Sequence, residues 1–233
     1  MKIQFIIVGW HFDAFPEFID GLIQLKKLNP NVNIFWTCHR EPSHTIKDNF
    51  DFKVFPNLGL EDGAYQQALD FLHLADDTVL FLMHDDLIVK DWGFIPVCLK
   101  LLMERYAFIG NGINYATKLN PYDTPNGRDK RFIDYVKPEA KHLFYTDENI
   151  HTIRESFICT IYGYLKSIFE FEVIWEEPIA DKDVKFHIGG IGNLQQTLLG
   201  YKMSKVYPGR ITYLSSTYQD SEYLYECARG KTK

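Results

Sequence analysis

The chain lacks the features that mark membrane, nucleic-acid-binding and disulfide-rich proteins. No apolar run approaches the roughly 20 residues of a membrane-spanning helix. The formal net charge of -6 provides no basic excess, which argues against general nucleic-acid binding. The cysteines Cys38, Cys98, Cys159 and Cys227 are widely spaced and form no Cys-x-x-Cys pair. A zinc site and a disulfide framework are therefore both disfavoured.

These absences favour a reducing compartment, and we expect a cytoplasmic protein. The apolar opening, residues 1–8, is too short for a signal peptide, so we expect it to be a strand. Of the 233 residues, 46% are hydrophobic and 15% are aromatic, which suffices for a substantial core. The length fits one large α/β domain.

Strand-like and helix-like segments alternate along the first half of the chain. The predicted strands are 3–8, 32–37, 52–55, 78–84 and 107–110, and the predicted helices are 16–28, 64–75 and 94–105. This alternation predicts a mainly parallel central sheet with helices on both faces, which is a three-layer α/β sandwich.

The second half of the chain is less regular. We expect strands at 157–162 and 201–206, and helices at 163–171 and 193–199. The polar segment 111–138 is too long for a simple connection, so it is a lid, an acceptor loop or a disordered segment.

The most informative segment is an apolar run that ends in His84, Asp85 and Asp86. Ligands of open α/β sheets bind at the carboxyl ends of such strands. Two adjacent carboxylates repel each other, and a divalent metal that also binds phosphate would relieve the repulsion. The alternative is a helix N-cap with a solvated neighbour. The better helix start lies beyond Lys90 and Asp91, which favours the metal.

In an extended chain His84 and Asp86 share one side of the strand, and Asp85 faces the other side. Both aspartates can therefore contact one cation only if the backbone turns where the strand ends.

Several segments together resemble GT-A glycosyltransferases of the family 2-like group. Residues 57–68 are similar to that family's nucleotide-contacting turn and helix, and residues 80–86 to its metal-binding Asp-x-Asp strand end. Residues 195–202 resemble its late helix ending in Gly-Tyr, and residues 157–171 the elements that border the acceptor pocket.

The resemblance implies a single GT-A-like domain over residues 1–233, with a nucleotide-sugar-binding half at 1–110 and an acceptor-side half at 111–233. It implies transfer of a sugar from a nucleotide diphosphate donor, with a UDP-sugar favoured, to a glycan, lipid or protein acceptor. The implied cofactor is Mn²⁺ or Mg²⁺. One departure is His84, which stands at the first acidic position of Asp-x-Asp. Manganese tolerates an imidazole ligand better than magnesium does.

The resemblance also implies which residues contact the donor and the metal. The expected donor-binding residues are Gly9, Trp10, His39, Arg40, Asp62 and Asp85. The expected metal ligands are Asp86, Asp85, His84 and His187. Plain structural roles compete with these assignments: packing for Trp10, solvation for Arg40, a helix start for Asp62 and a structural role for the lone His187.

An inverting transfer needs a carboxylate that takes the proton of the acceptor hydroxyl. Glu176, Glu177, Asp181 and Asp183 all fall in the expected region, and we favour Asp183, followed by Glu177. Surface loops also carry such acidic residues routinely.

Three basic residues of the long polar segment, Arg128, Lys130 and Arg131, either close over a diphosphate or belong to a solvated loop.

Two other functions compete with transfer. The first is a GT-A-like nucleotide-binding protein with little or no transferase activity, which the substitution at His84 favours. The second is a metal-dependent phosphohydrolase that uses Asp85 and Asp86. The phosphohydrolase is disfavoured because no second carboxylate-rich motif follows a neighbouring strand.

Overall fold

The computed structural model describes residues 2–57, 60–112, 114–118, 149–153, 156–168, 199–200, 202–216 and 221–226. Within these ranges, no helix combines the length and the apolar character that crossing a membrane requires.

Strands and helices alternate through the first half, as predicted. The strands are β1 (Ile3–Gly9), β2 (Val32–Cys38), β3 (Asp51–Val54), β4 (Val79–His84), β5 (Leu87–Val89), β6 (Phe108–Gly112), β7 (Asn114–Lys118), β8 (Asn149–Thr152), β9 (Phe157–Ile161), β10 (Ile211–Ser215) and β11 (Leu224–Glu226). The helices are α1 (Pro16–Leu28), α2 (His44–Asn49), α3 (Leu60–Leu72), α4 (Phe94–Glu104) and α5 (Tyr162–Lys166). A 3-10 turn, Phe12–Ala14, joins β1 to α1.

A seven-stranded sheet with the order β10-β6-β9-β4-β1-β2-β3 forms the middle of the molecule. β1 pairs in parallel with β2 and β4, β2 with β3, and β6 with β10. β9 runs antiparallel to both of its neighbours, β4 and β6. The sheet is therefore mainly parallel, which confirms the predicted fold class.

Helices cover both faces of this sheet, so the molecule has three layers. On one face, α1, α2 and α4 pack on strand residues such as Phe5, Trp36 and Phe81. On the other face, α3 and α5 pack on residues that include Leu80 and Leu82. Because every residue of β4 is buried, its sequence is a continuous apolar run rather than an alternating pattern.

Some local predictions were wrong or incomplete. Residues 202–206 were expected to form a strand, but they are helical, and Met203 packs fully buried in the same core as α3. Leu199 and Met203 are four residues apart and both pack in that core, a spacing that belongs to a helix rather than a strand. No element was predicted where α2, β5, β8, β10 and β11 form. Part of the polar segment 111–138 forms β7, which pairs with β8.

Candidate functional site

The site lies where three neighbouring parallel strands end at the same edge of the sheet. The pairing register sets Gly9 of β1 beside Cys38 of β2, and Val8 of β1 beside His84 of β4. The chain segments that follow these strands therefore converge, as the sequence predicted.

Asp85 turns towards the segment that follows β1. Its Oδ2 accepts hydrogen bonds from the backbone N–H groups of Trp10 (2.8 Å), His11 (2.6 Å) and Phe12 (2.7 Å). Burial raises the pKa of Asp85 to about 7 and the charge of Asp86 adds to the rise, whereas the three backbone N–H groups lower the pKa. The carboxylate thus joins the end of β4 to the turn after β1.

Asp86 faces a different environment, between two imidazoles. Its Oδ2 lies 4.0 Å from His11 Nε2, and its Oδ1 lies 3.9 Å from His84 Nδ1. Both distances exceed that of a hydrogen bond. Asp86 and His84 are buried, whereas His11 is partly exposed. His11 therefore gives this cluster a side open to solvent.

Two buried polar atoms of this cluster, Asp86 Oδ1 and His84 Nε2, have no hydrogen-bond partner within the described residues. Buried polar atoms without partners are rare in folded proteins and call for a ligand, an ion or water. A carboxylate with imidazoles is also a donor set that manganese accepts.

No three or more His, Cys, Asp or Glu side chains of the described ranges are arranged to hold a metal ion by themselves. Metals that assist phosphate chemistry usually take only one or two carboxylates from the protein, and substrate phosphates and water supply the remaining ligands. The residues present therefore fit a metal that binds together with a diphosphate, but not a closed structural metal site.

The predicted nucleobase side of the site contains Trp10, Arg40 and His39. Trp10 is 51% exposed, so about half of the residue's surface is accessible to a ligand. Arg40 Nη2 donates a hydrogen bond of 2.7 Å to the Trp10 carbonyl, and its guanidinium lies 5.9 Å from the centre of the indole ring. The ring of His39 meets the indole edge-on at 6.5 Å, and its Nδ1 lies 3.4 Å from the Phe55 carbonyl.

Asp62 lies in the first turn of α3 and is buried. Its Oδ1 has no hydrogen-bond partner within the described residues. Burial raises the pKa of Asp62 to about 8, and the neighbouring charge of Glu61 adds to the rise. Tyr65, one turn further along α3, stacks on His84, so this helix face adjoins the tip of β4.

Packing alone explains Gly9. A Cβ atom at this position would lie 2.7 Å from Phe12 Cε1, 3.0 Å from Trp36 Cε3 and 3.3 Å from Cys38 Sγ. The close approach of the turn to the sheet therefore requires glycine here, whether or not a nucleotide binds nearby.

The structure thus brings together Gly9, Trp10, His39 and Arg40 with the strand-end residues His84, Asp85 and Asp86. The predicted catalytic residues Asp183 and Glu177, their alternatives Glu176 and Asp181, the predicted ligand His187, and the loop residues Arg128, Lys130 and Arg131 lie outside the described residues. Their roles stay predictions.

No individual role was predicted for His11, which the structure places beside Asp86. The available signal was its position, just beyond the end of a buried strand that is parallel to and paired with β4. Polar residues immediately after parallel neighbouring strands meet at one edge of the sheet. The position of His11 therefore predicts a place at the site as well as the position of His39 does.

No protein-family model matches the chain, and no curated protein matches it. Among solved structures, the chain is similar to the galactosyltransferase LgtC in complex with donor and acceptor sugar analogues. That similarity has a TM-score of 0.45 and 9% identity, and covers 91% of this chain and 73% of LgtC.

The chain is also similar to the glycosyltransferase GlyE of Streptococcus pneumoniae TIGR4, with a TM-score of 0.41 and 13% identity over 92% of this chain and 45% of that one. A mannose-6-phosphate isomerase from Helicobacter pylori has the same TM-score, 0.41, with 14% identity over 72% of this chain and 74% of its own. The similar structures thus include glycosyltransferases as well as an isomerase, and similarity of fold alone does not fix a function.

Proposed function

We propose that the chain is a glycosyltransferase that moves a sugar from a nucleotide diphosphate donor, specifically a UDP-sugar, to a glycan, lipid or protein acceptor. The observation that carries this proposal is the tip of β4, where Asp86 Oδ1 and His84 Nε2 are buried without hydrogen-bond partners among the described residues. A diphosphate bound with a divalent cation would supply those partners.

Asp86 would hold the Mn²⁺ or Mg²⁺, with His84 as a second ligand. When bound, the metal ion supplies positive charge that offsets the charge developing on the departing diphosphate. The half-exposed indole of Trp10 would stack on the nucleobase, because aromatic rings bind bases by their π-faces. Arg40 holds the Trp10 carbonyl and so fixes the main chain that presents the indole.

The acceptor hydroxyl must lose a proton as it attacks the anomeric carbon. Asp183 is our proposed base and Glu177 the alternative, because both follow the elements that border the acceptor side in the sequence resemblance. The bond from the anomeric carbon to the diphosphate breaks as the new glycosidic bond forms, and the nucleoside diphosphate leaves.

Thermal unfolding with nucleoside diphosphates, with and without MnCl₂, tests this function. A ligand at 100 times its Kd stabilises the folded state by about 2.7 kcal/mol, which raises the Tm of a chain of this size by roughly 5–10 °C. We expect such a rise with UDP plus Mn²⁺, and its loss in Asp86→Asn.

Asp77→Asn is the matched control, because it makes the same charge change at an exposed position before β4 begins. It should respond to UDP and Mn²⁺ as the wild type does. An equal response to all nucleotides without metal would contradict the proposal.

A second candidate is a nucleotide-binding protein without turnover. The observation that favours it is the imidazole of His84. This residue stands where the GT-A glycosyltransferases that the sequence resembles have a carboxylate. Release of sugar from a UDP-sugar in the presence of Mn²⁺ separates the two functions, because a binder would show saturable UDP binding and no released sugar.

A further inference from the structure

The two adjacent carboxylates at the end of β4 point to different parts of the molecule. Asp86 lies between the imidazoles of His11 and His84, whereas Asp85 reaches into the turn after β1. The two residues form the turn between β4 and β5, so this turn rather than strand alternation gives each side chain its own direction. The two aspartates are therefore chemically distinct despite their adjacency.

The turn after β1 encloses one oxygen of Asp85. Three successive backbone N–H groups, from Trp10, His11 and Phe12, converge on Asp85 Oδ2 at 2.6–2.8 Å. Successive N–H groups that form such a concavity bind anions, and they favour the ionised carboxyl. Here the protein's own carboxylate occupies the concavity, so the phosphate of a ligand cannot use it while Asp85 is in place.

The turn needs this anchor, because Phe12 has a φ of +50°. That left-handed conformation is unfavourable for a residue with a side chain. The same turn presents the half-exposed indole of Trp10 and sets His11 Nε2 4.0 Å from Asp86 Oδ2. A single buried carboxylate thus fixes two side chains that face the proposed ligand site.

We propose that Asp85 is a positioning residue that fixes the turn 10–12, and thereby holds Trp10 and His11 at the donor site, rather than a ligand of the metal or the donor. This role replaces the metal-binding and donor-binding role predicted for Asp85 from the sequence. What Trp10 and His11 contact rests on the function proposed above, whereas the anchoring of the turn does not.

Acrylamide quenching of Trp10 fluorescence tests the anchoring directly. The Trp10 signal is taken as the difference between each protein and its Trp10→Phe counterpart, because the chain has 4 tryptophans. We expect Asp85→Ala to change the Trp10 quenching constant and to lower the Tm by about 5–10 °C, because three hydrogen bonds to a buried carboxyl group are lost.

Rescue by formate distinguishes anchoring from general damage. Formate is a carboxylate small enough for the space that Asp85→Ala leaves, so we expect it to restore the Trp10 quenching constant and the Tm. Sodium chloride at equal ionic strength should restore neither. Formate should leave the wild type unchanged, because Asp85 already fills the concavity.

Asp85→Asn extends the test should Asp85→Ala fail to fold. Its amide oxygen accepts the same N–H groups without the charge, so we expect a Trp10 quenching constant close to that of the wild type and a smaller loss of Tm. A Trp10 quenching constant in Asp85→Ala equal to that of the wild type would overturn the proposal. The proposal would also be overturned if both variants had a changed quenching constant and formate did not restore it in Asp85→Ala.

Binding of UDP plus Mn²⁺ separates this proposal from the proposed function. If the wild type binds no nucleotide, the proposed function fails, while the quenching and formate results still decide the role of Asp85. A different outcome would show that Asp85 is a ligand. In that outcome the wild type binds, and Asp85→Asn loses binding as completely as Asp86→Asn does, although the Trp10 quenching constant of Asp85→Asn is unchanged. The positioning role would then be wrong.

Discussion

The imidazole of His84 stacks on the ring of Tyr65, with ring centroids 6.2 Å apart and planes 26° apart. Both side chains are buried, so this contact joins α3 to the tip of β4 and orients the imidazole. We expect Tyr65→Leu to lower the free energy of unfolding by about 1–3 kcal/mol, because it removes the aromatic partner and leaves a void.

Tyr65→Phe is the matched comparison, since it keeps the stacked ring and removes only the hydroxyl. Urea unfolding of both variants measures the difference, and UDP titration with Mn²⁺ measures the effect on the site. Equal losses of stability and affinity in the two variants would show that the stacking of His84 has no role.

Trp10 provides the prediction about the nucleobase. Stacking of a base on an aromatic side chain contributes about 1–3 kcal/mol. Trp10→Ala should therefore weaken UDP binding by about 5- to 150-fold. Because the indole is half exposed, the stability of the protein should change little.

Trp10→Phe should retain most of the affinity for UDP. Leu28→Ala, at an exposed position at the end of α1, should bind as the wild type does. Calorimetric titration of UDP measures all three variants, and unchanged affinity in Trp10→Ala would place the base elsewhere.

Gly9→Ala tests the close packing of the turn on the sheet. The added methyl group would lie 2.7 Å from Phe12 Cε1, and we expect a loss of about 1–3 kcal/mol in the free energy of unfolding. In the double variant Gly9→Ala/Phe12→Leu, the second substitution removes the ring that the added methyl group meets. The double variant should therefore lose less free energy of unfolding than the sum of the losses in the two single variants. Strictly additive losses in the double variant would argue against this contact as the cause.

Asp62 provides a prediction about pH. Its pKa is raised from 3.8 to about 8 in the folded protein, chiefly by burial. The folded state therefore keeps a proton that the unfolded chain releases, and this group makes the protein less stable as the pH rises between these two values. The expected slope is about 1.4 kcal/mol per pH unit.

Asp62→Asn removes this titration. From pH 5 to pH 7, the wild type should lose free energy of unfolding relative to Asp62→Asn, because only the wild type has this titrating group. Asp77→Asn, whose side chain is exposed, should keep the wild-type slope. Urea unfolding at several pH values is the measurement, and parallel curves for Asp62→Asn and the wild type would contradict the raised pKa.

Much of the sheet could be predicted because its strands and helices carry strong local signals. The helix 16–28 was predicted with the bounds that α1 has, since Pro16 begins it and Asn29-Pro30 ends its apolar periodicity. The run ending at His84 was predicted to be a buried strand because it is short and continuously apolar. In contrast, the antiparallel placement of β9 between β4 and β6 depends on contacts distant in sequence.

The candidate site was only partly predictable. The sequence predicted that Asp85 and Asp86 can contact one cation only if the backbone turns after β4. The backbone does turn there, at residues 85–86, yet the two side chains lie in different environments. That Asp85 would meet three N–H groups of the turn after β1 was not readable, because this depends on the left-handed conformation of Phe12. The position of His11 after β1 indicated the correct edge of the sheet, but its proximity to Asp86 depends on the same turn.

Calorimetric titration of UDP with Mn²⁺ into the wild type, Asp86→Asn and Asp77→Asn examines whether the tip of β4 holds a metal-bound diphosphate. We predict saturable binding to the wild type and to Asp77→Asn that depends on Mn²⁺, and no measurable binding to Asp86→Asn. Binding to Asp86→Asn with the affinity of the wild type would contradict a role for this carboxylate in holding the donor.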